Sequence, residues 1–212
     1  MNGNLQDKLE QGINELGLDI PSTTVQRLLQ YIELIRKWNR VYNLTAIKDP
    51  GQMLTHHILD SLSILPYVRG PRILDMGCGA GLPGIPLALA MPDSQVVMMD
   101  SNIKKTRFVQ QAITELPLGN AEVVHVRAED YTAPGGFDTV TSRAFSSLED
   151  FLDLAAPYLQ KGGQLLAMKG RYPTEELEPS FNQFRLIAVH QLEVPFLDSE
   201  RHLVEMERID TV

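Results

Sequence analysis

The stretch Ile73-Leu74-Asp75-Met76-Gly77-Cys78-Gly79-Ala80-Gly81-Leu82-Pro83-Gly84 decides the fold. A short apolar run from Arg72 ends in the acid Asp75 and passes directly into glycines. This is a strand-to-helix junction. Glycines there let the backbone turn tightly and let a ligand approach without meeting a Cβ. In open parallel sheets, ligands bind outside the carboxyl ends of the strands. Two kinds of ligand compete for such a loop. Gly79-x-Gly81-x-x-Gly84 matches a dinucleotide fingerprint, which is weak by itself. Asp75 argues against it, because a carboxylate at the strand end would meet a pyrophosphate with like charge. A cationic ligand without phosphate suits the acid better. S-adenosylmethionine, with an ammonium and a sulfonium, has that chemistry. Asp75, Gly77, Gly79 and Gly81 are the cofactor residues expected from this reading. The plainer role for Asp75 is a cap at the strand end.

Outward from the loop, strand and helix patterns alternate. Apolar runs at Gln95–Asp100, Glu122–Arg127, Phe137–Ser142 and Gly163–Lys169 are separated by helical patterns at Lys104–Leu116 and Leu148–Leu159, with another at Gly84–Ala90. That order predicts an α/β fold, a parallel sheet with helices on both faces. Two more apolar runs, Arg185–Val194 and His202–Ile209, have no helix between them and predict an antiparallel hairpin at the sheet edge. Asp100 ends the second strand, where a carboxylate can accept both hydroxyls of a ribose. Upstream, Val25, Leu28, Leu29, Ile32, Ile35 and Trp38 follow the spacing of one helix face. Thr23 and Gln26 can form a capping box at its start. A second helix is expected from Asp49-Pro50, with the acid as N-cap, to about Leu65. Residues 1–70 thus read as an N-terminal helical extension and 71–212 as the α/β domain.

The 43% hydrophobic content of the 212 residues suffices for a packed core. The single cysteine, Cys78, excludes an intrachain disulfide and suits a reducing cytosol. The opening MNGNLQDKLE carries charge and lacks the apolar centre of a signal peptide. The uncharged stretch from Leu82 to Pro92 contains three prolines and is too short to span a bilayer. A soluble, cytoplasmic protein with no membrane partner is expected. The net charge of −8, taken alone, argues against a nucleic-acid binder, but the charge is unevenly distributed. Nine acids against three bases lie between Pro173 and Val212. Arg36, Lys37, Arg40 and Lys48 face only Glu33 between Gln30 and Lys48, and Lys104, Lys105 and Arg107 follow Asp100. Local basic surfaces exist, and they also read as ordinary solvated helix faces.

Methylation of different atoms leaves different residues behind. Attack through pyrimidine C5 needs a cysteine nucleophile, and the one cysteine sits in the glycine loop. Exocyclic amines usually go with an Asn/Asp-Pro-Pro-aromatic turn after the fourth strand; here that place reads Thr141-Ser142-Arg143-Ala144-Phe145. A ribose hydroxyl needs deprotonation, and although Lys169 is suitably placed, Arg143 stands where an acid is expected. Guanine N7 has a free lone pair and loses no proton before attack. Alignment and exclusion of water are then sufficient. Arginine is the usual partner of the guanine edge. Ala144 and Phe145 could pack against a flat base. No compact cluster of His, Cys and Asp has metal-ligand spacing, so no metal is expected.

Several segments, in order, resemble the 16S ribosomal RNA guanine-N7 methyltransferase family, also called glucose-inhibited division protein B. They are Asn43-Leu44-Thr45, His57-Ile58-Leu59-Asp60-Ser61-Leu62, the loop from Asp75 to Pro86, Asp100-Ser101 with Lys104-Lys105, Ser142-Arg143-Ala144-Phe145, Lys169-Gly170 and Glu200-Arg201-His202-Leu203. Only the first thirty or so residues lie outside the pattern. The resemblance implies a Rossmann-like S-adenosyl-L-methionine-dependent methyltransferase: a mostly parallel seven-stranded sheet, its last strand reversed, with an N-terminal helical cap. It implies a methyl transfer to 16S rRNA, free or within the small ribosomal subunit, with S-adenosyl-L-homocysteine as product. It further implies cofactor contacts at Gly77, Leu82, Ala128, Glu129 and Arg143, with adenine beside Arg127-Ala128-Glu129. Catalytic roles fall to Arg143, Lys169 and Arg201. RNA contacts fall to Asn43, His57, Lys104, Lys105 and Arg127. Each has a plainer reading. Asn43 suits a helix C-cap, His56 and His57 could be core or surface groups, Arg143 could be a strand-end ion-pair partner, and Lys169 and Arg201 could be solvated. A small-molecule methyltransferase and a non-catalytic cofactor-binding protein remain as alternatives.

Overall fold

The computed structural model describes residues 2–133, 135–143, 145, 147–177, 181 and 183–209. Helices α1 (Asn2–Glu15) and α2 (Ser22–Tyr42) lead into α3 (Pro50–Met53), a π-helical segment (Leu54–Leu59) and α4 (Asp60–Leu62). Alternation then begins: β1 (Arg72–Met76), α5 (Gly84–Ala90), β2 (Gln95–Asp100), α6 (Ile103–Glu115), β3 (Ala121–His125), β4 (Phe137–Ser142), α7 (Leu148–Ala155), β5 (Leu159–Lys169), β6 (Phe184–Gln191) and β7 (His202–Arg208). The sheet runs β3-β2-β1-β4-β5-β7-β6. The first five strands pair in parallel, and β7 runs antiparallel to both β5 and β6. The expected fold class, with its last strand reversed, is therefore observed. The C-terminal hairpin inserts β7 beside β5 and leaves β6 at the edge.

Side-chain alternation along the strands divides the core between the two faces. Ile73, Val96, Met98, Leu166 and Met168 join one apolar cluster with α1, α2, α5 and α6. Leu74, Met76, Met99, Leu165 and Ala167 join the other with α7. Helix α2 packs because its periodic apolar face is real: Val25, Leu28, Ile32 and Ile35 are buried, together with Tyr31, Leu34 and Asn39. Burial of each large apolar side chain contributes roughly 1.5–3 kcal/mol.

Two local expectations are corrected and one element is added. Helix α2 starts at Ser22 after Pro21, so Thr23 already lies inside it and no side chain caps its start. The helix from Pro50 does begin with Asp49 as N-cap, its side chain accepting from Gln52 N–H. It does not run evenly to Leu65: it widens into a π segment and ends at Leu62. Helix α1 adds to the expected elements; Leu5, Leu9, Ile13 and Leu16 carry helical spacing, and Leu9 and Ile13 are buried.

The chain reverses direction across the sheet at β1, which lies between β2 and β4. Such a switch point opens a crevice at the carboxyl ends of the strands. The glycine loop leaves β1 there, and Arg143 leaves β4.

Candidate functional site

A cavity of about 480 Å³ occupies that crevice. Its floor is the loop Gly77–Ala80 with Leu82, and the opposite wall carries His56, His57, Asp60, Arg143, Lys169 and Arg201. Leu44, Thr45 and Ile47 line the N-terminal side.

The loop is held from three directions. Gly77 N–H and Cys78 N–H both donate to Met99 O, anchoring it to β2. Gly79 N–H donates to Asp100 Oδ2 at 2.9 Å, and Asn102 N–H donates to Oδ1 at 2.8 Å. From above, the buried Tyr31 hydroxyl of α2 reaches Ala80 O and Gly81 O. Two glycines are required for different reasons. Gly79 has φ +58° and a Cβ there would project into empty space, leaving room for a ligand. Gly81 has φ +82° and a Cβ would come within 2.7 Å of Ile85 Cγ1.

Asp75 is not on the cavity wall. It is fully buried, and its Oδ2 accepts from Gly84 N–H at 2.8 Å, capping the start of α5. Asp75 thus stands behind the cavity lining and not on it, with Gly84 N–H as its partner. Burial raises its pKa to about 7, opposed by the Gly84 hydrogen bond and by Arg143. The carboxylate of Asp100 lies at the loop, with Lys105 Nζ 3.9 Å away.

Arg143 and Arg201 meet at a single buried carboxylate. Asp60 Oδ2 accepts from Arg143 Nη1 at 3.0 Å, and Oδ1 accepts from Arg201 Nε at 2.9 Å. Lys169 Nζ pairs with Glu176 Oε2 at 2.7 Å, so it is not the solvated group of the plainer reading. His57 Nε2 lies 2.9 Å from the Thr45 hydroxyl. Burial, aided by Arg143, lowers its pKa to about 4 and keeps the ring neutral. The loop bearing Thr45 is fixed by the buried Asn39, whose amide bonds Thr45 in both directions.

Several of the expected cofactor and RNA residues lie outside the cavity. Ala128 and Glu129 form a turn after β3, with Ala128 O accepting from the Tyr158 hydroxyl. Neither lines the cavity, because the crevice opens between β1 and β4 while the turn stands at the β3 edge. Arg127 and Lys104 are exposed and also lie off it. Asn43 takes the left-handed conformation at φ +49° and caps α2 through its N–H to Asn39 O, the C-cap alternative. Phe145 is half-buried and stacks on Phe151 of α7 at 4.9 Å between centroids, so one face of its ring is taken up within the protein. Ala144 lies outside the described residues.

Three residues of the site were given no role by the sequence. Tyr31 and Asn39 are polar positions on an apolar helix face, which is the signal that could have found them. Asp60 stands among Ile58, Leu59 and Leu62 and is only 4% exposed; an acid in such a run must have partners.

The loop fits a phosphate-free, positively charged nucleoside. The space over Gly79 is open, acids rather than unpaired cations surround the backbone, and Lys105 is already beside Asp100. Among the described residues no three His, Cys, Asp or Glu side chains form a metal-binding group. No helix among them is long and apolar enough to cross a membrane.

Comparison with known proteins bears on what this site does. A family model described as rRNA small subunit methyltransferase G matches residues 24–204. A ribosomal RNA small subunit methyltransferase G of Laribacter hongkongensis is 48% identical over 203 residues, covering 96% of this chain and 98% of that protein. One of Aromatoleum aromaticum is 51% identical over 205 residues, covering 94% and 97%. Among solved structures, an N-methyltransferase of Bradyrhizobium japonicum in complex with S-adenosyl-L-homocysteine aligns with TM-score 0.56 at 14% identity, covering 84% of this chain and 99% of that one. A predicted O-methyltransferase of Agrobacterium tumefaciens aligns with TM-score 0.57 at 20% identity, covering 72% and 80%. These structural likenesses carry the fold.

Proposed function

The chain belongs to the rRNA small subunit methyltransferase G family, and on that premise we propose that it transfers a methyl group from S-adenosyl-L-methionine to N7 of a specific guanine in 16S rRNA of the small ribosomal subunit. The observation that carries the choice of atom is a cavity that joins the glycine loop to Arg143, Lys169 and Arg201, with its buried acid and its buried histidine both already engaged. Its histidine with a shifted pKa, His57, sits at about 4 and takes up protons poorly near neutrality. Its buried carboxylate, Asp60, is already bonded to two guanidiniums. Neither buried group is set to take a proton from a nucleophile, and N7, with a free lone pair, needs none taken; His56, the other histidine of the wall, is the group a base-dependent reaction would use.

Gly77, Gly79, Gly81 and Leu82 would hold the cofactor, with Asp100 toward its ribose and Ala128-Glu129 toward its base; Arg143, also a cofactor contact by the family resemblance, is assigned to the substrate side because it is tied to Asp60 and His56 O. The bound cofactor supplies an electrophilic methyl group and leaves as S-adenosyl-L-homocysteine. The protein's own task is then orientation. Arg143 lies where β4 ends beside the loop, and a guanidinium can hold O6 or a neighbouring phosphate while leaving N7 unblocked. Lys169 and Arg201 add positive charge for the phosphates beside the target guanine. The exposed Asn43, Lys104 and Arg127, with Lys105 at the rim, offer contacts to flanking RNA. We assign residues 1–70 to the helical extension and 71–212 to the methyltransferase domain, and place the reaction in the cytoplasm.

The test is methyl transfer by the purified protein from isotopically labelled cofactor to 16S rRNA, to small ribosomal subunits and to a panel of small nucleosides. Label in RNA, at a guanine that becomes cleavable after borohydride and aniline, is expected. Label only in small molecules supports the small-molecule alternative, and cofactor binding without any transfer supports the non-catalytic one.

A further inference from the structure

The two arginines of the transfer wall come from strands that are not neighbours. Arg143 follows β4, Arg201 precedes β7, and β5 lies between. Their side chains are 24% and 21% exposed, so their charges are partly desolvated and repel each other more than in water. Asp60 resolves this. It offers one oxygen to each guanidinium and is itself 5% exposed at the side chain.

The helix that carries Asp60 is shaped for the purpose. Asp60 N–H bonds Thr55 O and His57 O, the carbonyls five and three residues back. It passes over the His56 carbonyl, which would be its partner in an α-helix. That carbonyl instead accepts from Arg143 Nη1 at 3.2 Å. Arg143 therefore receives two acceptors from one turn, a backbone carbonyl and a carboxylate, both on the same nitrogen. Its Nε and Nη2 have no partner among the described residues, leaving donors for a ligand. π-helical turns of this kind occur frequently at functional sites.

Resting on the function proposed above, we propose that Asp60, with the π turn that presents it, is a positioning residue for methyl transfer: it holds Arg143 and Arg201 together so that their remaining N–H groups face the substrate. Among the described residues no hydrogen bond joins the Asp60 side chain to the glycine loop or to Asp100, so its contribution is to the transfer rate and not to cofactor affinity.

Asp60→Asn keeps the shape and one acceptor but removes the charge between two cations. The expected result is a fall in single-turnover transfer rate of about thirtyfold or more, with the Kd for S-adenosyl-L-methionine and the KM for RNA within about threefold of wild type. In an Arg143→Ala background the same substitution should cost less than about fivefold, because a residue acting through another loses its effect when that other is gone. Should Asp60→Asn fail to fold, Asp60→Glu keeps the charge but shifts it by one methylene, and the same cycle is read with it. A rate within about threefold of wild type overturns the proposal. So does a rate loss that is undiminished in the Arg143→Ala background, or one matched by loss of cofactor affinity and melting temperature, since those mark general structural damage. Absence of any RNA methylation by the wild-type protein is a different failure, that of the proposed function itself.

Discussion

The glycine loop and the cationic wall face each other across one cavity, yet they are built in opposite ways. The loop is a continuous run from Asp75 to Gly84, stabilised by its own backbone and the strand beside it. The wall is gathered from separate segments, and its central ion pair joins residues 141 apart in sequence. In the loop, residue identity answers a local demand, such as φ +58° at Gly79. In the wall, identity answers charge compensation between distant partners. The loop therefore binds as a unit set by backbone shape, and the wall orients as a network in which each member depends on another.

The largest test of that division is Arg143→Ala. It should lower methyl transfer by about two orders of magnitude, on the order of 3 kcal/mol in barrier. Cofactor affinity, measured by calorimetry on the same protein, should stay nearly constant. Arg143→Lys should restore little, because an ammonium cannot replace a planar fork that reaches Asp60, His56 O and a ligand together. Equal losses in transfer and in affinity would make Arg143 part of the loop's function and dissolve the comparison.

On the other side of the cavity, Asp100→Ala should weaken cofactor binding by about tenfold or more, since charge-assisted hydrogen bonds contribute about 1.5–3 kcal/mol each. Asp100 also holds Gly79 and Asn102, so the loop itself loosens. A change under about twofold, with the fold intact, would move ribose recognition elsewhere. Tyr31→Phe removes the hydroxyl that reaches Ala80 O and Gly81 O from α2. A neutral hydrogen bond contributes about 0.5–1.5 kcal/mol, so cofactor affinity should fall by only about threefold, and RNA binding should not change.

A separate effect, on stability and not on transfer or binding, concerns pH. Asp75 has its pKa raised by burial from 3.8 to about 7, so the folded state keeps a proton that the unfolded chain releases. Its contribution to stability is fully present below pH 3.8 and is lost as pH rises to about 7. His57, lowered from 6.5 to about 4, acts in the opposite sense, losing stability as pH falls through that window. Asp75→Asn removes only the first contribution. Relative to wild type it should gain stability between pH 3.8 and about 7 and level off above, as read by denaturant titration across pH. A flat difference would mean that Asp75 is charged in the folded protein.

How much of this was legible follows the same division. Asp75 through Gly84 announced a ligand loop at a strand end, and the alternation after it gave the sheet, because hydrophobic period and glycine placement are local signals. The C-terminal hairpin was visible as two strands, but its insertion with β7 against β5 was not, since partner choice depends on the whole sheet. Arg143, Lys169 and Arg201 entered through likeness to a family, and the structure brings them to one cavity. Asp60 had no readable role because its meaning lies in two arginines far along the chain. The π turn at Leu54–Leu59 has no residue signature at all: Thr55, His56 and His57 suit an ordinary helix equally well. Ala128 and Glu129 lie at the β3 edge beyond the cavity, a position that strand order determines and residue pattern does not.

The most direct measurement is mass mapping of methylated nucleosides in 16S rRNA from cells with and without this protein. The account predicts one guanine that carries a methyl group on N7 only when the protein is present, and that loses it in cells bearing Arg143→Ala. Identical maps, or a protein-dependent methyl on an exocyclic amine, a ribose hydroxyl or a pyrimidine carbon, would contradict it.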